Sequence, residues 1–366
     1  MCLYPQKIKN KRYLPTKKNN YTPYSCDYEP KLYVEIPCGW CIECRKARAR
    51  DWNIRLQEEL LHDNGQPKTF VTLTFSDEKI VELLEGDEIG EFNNAIVSKA
   101  IRRFTEYYRK RNGKAPKHWL ISELGHTGTE RLHLHGIIWD TPQEIRKTWN
   151  YGYSWCGIYV SGATIGYLMK YVTKFDQDHK FYIPQIWASK GIGKGYLTQG
   201  NITIARRDQN YRTLQGQELA LPTYYRNKIF SEDERDFLYE DYLRKGKTTV
   251  QGIKCDKDSD YYNKLIEEGR KKNNRLGYKL PKKDENIFEI QPENVTTYHR
   301  RKLINNYIIE GTKHEQDLKK ERIKRANKQW KEQLKTYKVE GKINQRNNNK
   351  ALNEIKWQEE CKKYAQ

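Results

Sequence analysis

No apolar run in this sequence approaches the length needed to cross a bilayer, and no secretory leader opens it with a basic start, an apolar middle and a small-residue cleavage site. The chain is therefore expected to stay in the cytoplasm, with no membrane among its partners. Its eight Cys would be kept reduced there, so their spacing is read as thiol or metal chemistry before disulfides are considered. A complete nucleotide-binding loop is also missing. Gly191-Ile192-Gly193-Lys194-Gly195 approaches one, but a Walker motif needs Gly, four residues, then Gly-Lys-Ser/Thr, and here Gly195 follows the Lys. An ATP site is rejected. Acid is in deficit, with 48 Asp+Glu against 68 Lys+Arg and a formal net charge of +20. Such a field concentrates polyanions at the surface, so nucleic acid is the expected partner. The 9 Trp and 27 Tyr, set among Lys and Arg, suit stacking on unpaired bases.

A chain of 366 residues holds one well-packed domain with appendages, or two small domains, and the first is the simpler reading. Residues 1–66 form a Cys-rich basic N-terminal segment that turns helical from Arg45 to Leu61. Arg45, Arg48 and Arg50 on that helix are candidates for contact with DNA, with a solvated face as the alternative. Residues 67–243 carry the core. Phe70 to Phe75 is β-branched and aromatic, as strands are. A helix is expected from Asn94 to Arg111, closed by Asn112-Gly113. His118 to Glu123 and Leu132 to Trp139 read as two strands joined by a turn containing Gly125 and Gly128. Tyr153 to Val160 is another candidate strand, and Thr164 to Lys174 reads as helix. This order favours an α+β domain, an antiparallel sheet with helices on one face. Residues 244–366 are a charged tail, mainly helical or partly disordered.

Chemistry concentrates in Arg131-Leu132-His133-Leu134-His135-Gly136-Ile137-Ile138-Trp139. Side chains alternate along a strand, so His133 and His135 project from one face while Leu132, Leu134 and Ile138 pack on the other. Glu123 ends the preceding strand, and a hairpin brings its carboxylate beside the two His. Two imidazoles and one carboxylate leave coordination positions open, as a catalytic metal requires. Non-haem iron oxygenases use the same ligand set, so the nucleophile has to decide. Tyr167 and Tyr171 lie four residues apart on a helix and share a face, with Lys170 and Lys174 on a neighbouring stripe. A free phenol has a pKa near 10, and nearby positive charge with a Lewis acid would make one a nucleophile. Core packing is the other use of such a pair.

Cys38, Cys41 and Cys44 form a Cys-x-x-Cys-x-x-Cys cluster that needs a fourth ligand for a closed tetrahedral site, and Cys2 or Cys26 could supply it. A structural Zn2+ or iron–sulfur site is preferred, with reactive thiols second. Cys156, Cys255 and Cys361 are isolated thiols.

The strand Phe70 to Phe75, the His-hydrophobic-His strand and the paired tyrosines, in that order, resemble the three motifs of HUH endonucleases of the replication-initiator branch. The resemblance is closest to the replication initiation proteins of microviruses, especially gokushovirus-like phages. Pro37 to Arg45, Trp149-Asn150-Tyr151-Gly152-Tyr153 and Gly191 to Gly195 are similar to further blocks of that group. Leu132 stands where many relatives have Pro, and Ser122 where a Gly often precedes the Glu. The resemblance implies an HUH core that uses a divalent ion, Mg2+ or Mn2+, held by Glu123, His133 and His135. One tyrosine would attack single-stranded origin DNA, keep the 5′ phosphate and free a 3′ hydroxyl that primes synthesis. The second would cut the regenerated origin, and the released 3′ hydroxyl would close the circle without ATP. Expected partners are single-stranded and replicative-form circular DNA at an origin, with a host helicase and replication proteins, in the cytoplasm of a bacterial host. A plasmid replication initiator is an alternative from the same superfamily. In mobilisation relaxases the tyrosine normally precedes the His motif, whereas here it follows. A non-catalytic DNA-binding regulator would have lost the metal edge or the tyrosine pair, and neither is lost.

Overall fold

The computed structural model describes residues 1–84, 94–125, 132–157, 159–174, 176 and 184–278, all within one compact unit. The chain enters through β1 (Gln6–Lys9), which pairs antiparallel with β2 (Tyr33–Ile36), and continues into α1 (Ile42–Leu61). The core follows as β3 (Thr69–Thr74), α2 (Asp77–Leu84), α3 (Asn94–Asn112), β4 (Lys117–Leu124), β5 (Leu132–Trp139), α4 (Pro142–Thr148), β6 (Ser154–Gly157), α5 (Gly162–Thr173) and β7 (Ile186–Ala188). After it come α6 (Gln199–Asp208), the hairpin β8 (Asn210–Arg212) and β9 (Glu218–Ala220), α7 (Thr223–Ile229) and α8 (Glu232–Lys245). A second hairpin, β10 (Lys247–Val250) and β11 (Ile253–Asp256), leads into α9 (Asp260–Arg275).

The central sheet has the order β6-β3-β5-β4-β7, and every neighbouring pair is antiparallel. The architecture is thus α+β, as the sequence leads one to expect. Helices cover both faces, however, not one. Val71, Leu73, Leu120, Leu132, Leu134 and Ile138 pack against Val97, Ile101 and Phe104 of α3 and Ile145 of α4. On the opposite face Trp119, Ile121, Ile137 and Trp139 pack against Ala49 and Leu56 of α1 and Ile165, Leu168 and Met169 of α5. The reason is legible in β5. Ile137 and Trp139 share a face with the two His by strand alternation, so half of that face is apolar and has to be covered.

Gly136 lies between these layers, opposite Leu120 on β4 and Val71 on β3. A Cβ there would stand 2.1 Å from the Trp119 carbonyl oxygen and 2.9 Å from the Leu120 Cα. Only glycine lets β4 and β5 approach closely at the turn from His face to apolar face.

Several boundaries move. The first helix begins three residues before Arg45, with Cys41 at its N-cap, so it starts inside the cysteine cluster. The strand expected over Tyr153 to Val160 is confined to β6. Gly128 and Arg131, Cys361 and the tail beyond residue 278 lie outside the described residues. Residues 247–275 are a hairpin and a helix whose Val250, Leu265 and Ile266 pack with Leu3, Cys38 and Cys41.

Candidate active site

The ladder registers bring the site together. Glu123 stands directly opposite His133 on β5, and Thr74 and Thr72 of β3 face His133 and His135 from the other side. One carboxylate oxygen, Glu123 Oε2, lies 3.1 Å from His133 Nε2 and 3.0 Å from His135 Nε2. Ligands about 2.1 Å from an octahedral cation lie roughly 3.0 Å apart along each edge, so the three atoms fit one face of such a site. Glu123 Oε1 accepts a hydrogen bond from Lys174 Nζ. Burial alone would raise the Glu123 pKa, but the bonds from His133, His135 and Lys174 outweigh it and hold the carboxyl well below the usual range. Burial pushes His135 down, which favours the neutral imidazole that metals bind.

His135 has a further partner that sequence reasoning missed. Thr72 Oγ1 lies 3.1 Å from its Nδ1, leaving Nε2 turned toward Glu123. Such a contact fixes ring orientation and tautomer. Its signal was present in the alternation of Phe70, Thr72 and Thr74, but the register against the His strand was not.

α5 delivers the phenols. Its start is capped by Ser161, whose N–H donates to Thr164 Oγ1 at 3.1 Å. Ile165, Leu168, Met169 and Val172 recur at helical spacing and are buried, each worth roughly 1.5–3 kcal/mol. That stripe sets the rotation of the helix and leaves Tyr167 and Tyr171 on the adjoining face. Their hydroxyls are 2.7 Å apart. The Tyr171 ring stacks on His135 at 4.2 Å between centroids and 15° between planes. Tyr167 packs edge-on against Phe70 and remains 40% exposed, with Lys170 Nζ 5.3 Å from its ring centroid. The structure thus gathers Glu123, His133, His135, Tyr167, Tyr171 and Lys174 into one site, and sets Lys170 at its edge.

The far end of α5 is clamped. Arg45 Nη1 donates to the Lys174 carbonyl at 2.7 Å, its Nε donates to the Trp40 carbonyl at 3.2 Å, and the guanidinium lies 5.0 Å from the Tyr278 ring centroid. Tyr278 in turn donates its hydroxyl to the Thr173 carbonyl at 2.6 Å. Arg45, expected at DNA, is thus engaged within the protein and positions the segment that carries Lys174. Arg50 lies 3.9 Å from Asp51, and Arg48 is half-buried.

The remaining blocks have structural uses. Gly193 donates its N–H to Glu59 Oε2 at 2.7 Å, and Arg55 binds the Ile192 carbonyl at 3.0 and 3.1 Å. A loop whose amide already serves a carboxylate and whose carbonyl serves a guanidinium braces α1. Trp149 donates Nε1 to the Thr74 carbonyl at 3.1 Å and packs edge-on with Phe75 and Phe104.

Residues 68–176 match the family model for the replication-associated protein ORF2. The match spans less than a third of the chain, yet it runs from β3 past the end of α5 and includes every residue of the site. It supports a rolling-circle replication initiator and a DNA partner. No curated protein and no solved structure gives a significant match. Among the described residues no helix is long and apolar enough to cross a membrane.

Proposed function

We propose that this chain is a site-specific single-stranded DNA endonuclease and ligase that initiates rolling-circle replication of a small circular genome. The genome is that of a microvirus-like phage in the cytoplasm of a bacterial host, a choice that rests on the sequence resemblance. The observation that carries the proposal is the convergence of the Glu123-His133-His135 edge and the paired Tyr167 and Tyr171 hydroxyls on one end of one sheet face.

Glu123, His133 and His135 would hold a divalent ion, Mg2+ or Mn2+, which supplies Lewis-acid polarisation of the scissile phosphate. The chain's own groups do the rest. A tyrosine oxygen attacks phosphorus as its proton leaves, a phosphorus–oxygen bond to Tyr forms, and the bond to the 3′ oxygen breaks. That oxygen takes up a proton and departs as the 3′ hydroxyl, while the 5′ phosphate stays on the ring. Lys170 and Lys174 place positive charge beside the phenols, where negative charge gathers in the transition state. The second tyrosine repeats the attack on the regenerated origin, and the new 3′ hydroxyl displaces the first tyrosine and restores its phenol. Bond energy is conserved throughout, so joining needs no nucleotide, and unwinding falls to a host helicase.

The test is to incubate the protein with labelled circular single-stranded DNA and Mg2+ or Mn2+, then run a denaturing gel. A denaturation-resistant adduct that depends on the ion and disappears in the Tyr167→Phe/Tyr171→Phe double variant is expected. Cleavage without an adduct, or an adduct persisting in the double variant, overturns the proposal.

A further inference from the structure

A second group of metal-ligating side chains lies apart from the sheet. The sulfurs of Cys2, Cys38, Cys41 and Cys44 all lie within 4.8 Å of one another, with Cys2 to Cys41 at 4.0 Å and Cys38 to Cys44 at 3.8 Å. A disulfide requires about 2.05 Å between sulfurs, so these are not paired thiols. Four sulfurs about 2.3 Å from a tetrahedral ion lie roughly 3.8 Å apart, which is the spacing found. A cubane iron–sulfur cluster puts each thiolate on a different iron and spreads them further than this set allows.

Backbone donors are aimed at the sulfurs. The N–H groups of Tyr4 and Cys38 donate to Cys2 Sγ at 3.3 and 3.2 Å, and that of Cys41 donates to Cys38 Sγ at 3.4 Å. Such donors stabilise thiolates, and thiolates so close together require a cation among them. Leu3, Val250, Leu265 and Ile266 wall the group off from water. Cys26 is not part of it, since its Sγ bonds the Tyr28 carbonyl at 3.2 Å.

We propose that Cys2, Cys38, Cys41 and Cys44 hold one zinc-class divalent ion as a closed tetrathiolate. The ion fastens the N-terminal residues and the first turn of α1 to the β10–β11 hairpin and α9. Protein bonds converge on the same junction. Arg270 Nε donates to the Leu3 carbonyl at 3.0 Å, and the Ile42 N–H donates to Asn273 Oδ1 at 3.0 Å. Arg45 follows Cys44 directly, so the ion also sets the base from which the clamp on α5 reaches out. With no open coordination position, its role is structural.

The test uses the full chain purified without chelator in excess Mg2+, a hard ion that does not compete for thiolates. Elemental analysis should find one zinc per chain in the wild type and in Cys26→Ser. Cobalt substitution of both should give the thiolate charge-transfer and tetrahedral visible bands of a four-sulfur site, and Cys2→Ser should weaken them. Where Cys2→Ser does not yield folded protein, alkylation of the wild type gives the same answer, with Cys2 protected until the ion is stripped and Cys26 reacting throughout. Folded wild type without bound metal, iron accompanied by inorganic sulfide, a cobalt spectrum unchanged in Cys2→Ser, or equal reactivity of Cys2 and Cys26 would each overturn the assignment. None of these readouts depends on DNA cleavage.

Discussion

The two metal-ligating groups of this protein are built in opposite ways. Glu123, His133 and His135 lie on adjacent strands of one ladder, held by register and open toward the tyrosines. Cys2, Cys38, Cys41 and Cys44 join residue 2 to the start of α1, against residues 247–278, and are walled by apolar side chains. In the first group the fold makes the site. In the second, on the tetrathiolate proposal, the ion helps to make the fold. An open edge suits an ion that exchanges and touches substrate, whereas a closed set suits one that stays.

The largest expected effect breaks the reading of the first group. Changing both Tyr167 and Tyr171 to Phe should abolish covalent adduct formation, a loss of at least about 1000-fold, because no other nucleophile shares the site. Phe keeps the rings that pack on His135 and Phe70, so the melting temperature should hold. Each single variant should still form some adduct through the remaining phenol but fail at repeated cut-and-join cycles on a circular template. A single variant with full multi-round activity would return its tyrosine to a packing role.

Metal removal sharpens the comparison next. Brief treatment with a mild chelator should stop cleavage with little change in melting temperature, and added Mg2+ or Mn2+ should restore it. Cys41→Ser should instead lower the melting temperature by about 10 °C or more, since a structural ion contributes its binding free energy to folding. Should chelation and Cys41→Ser prove indistinguishable in melting and in reversibility, the contrast between the groups collapses.

How much was visible beforehand follows the same division. The His strand, the tyrosine helix and the ligand set were legible because each is a local pattern of period 2 or 3.6, and the hairpin partner Glu123 is only ten residues from His133. Three of the four cysteines were legible for the same reason. The choice between Cys2 and Cys26 was not, since it depends on how a separate segment folds back across residues 247–278. Helices on both faces were missed because Ile137 and Trp139 were not weighed with the His pair whose face they share. Arg45 looked like a DNA contact because composition shows its charge and not the Lys174 carbonyl that it binds.

Gly136 tests the rigidity on which the first group depends. Gly136→Ala puts a methyl 2.1 Å from the Trp119 carbonyl oxygen, with backbone rather than a flexible side chain in the way. A loss of about 3 kcal/mol in denaturant unfolding is expected, with cleavage falling as the ladder shifts. A melting curve unchanged from wild type would show that β4 and β5 yield easily and that register alone does not hold Glu123 in place.

The smallest expected effect concerns Thr72. Thr72→Val keeps the branched shape and the strand preference but removes the oxygen 3.1 Å from His135 Nδ1. The imidazole then loses the contact that turns Nε2 toward Glu123, and metal affinity should fall by about 10-fold, at the lower end of what outer partners of metal ligands contribute. Saturating Mn2+ should restore the cleavage rate, because the nucleophiles and all three ligands are intact. The readout is thus a shift in the metal concentration for half-maximal activity with an unchanged plateau. A lower plateau at unchanged metal dependence would mean that Thr72 acts on the tyrosines and not on His135, and that the sheet positions the nucleophile more directly than the ligand.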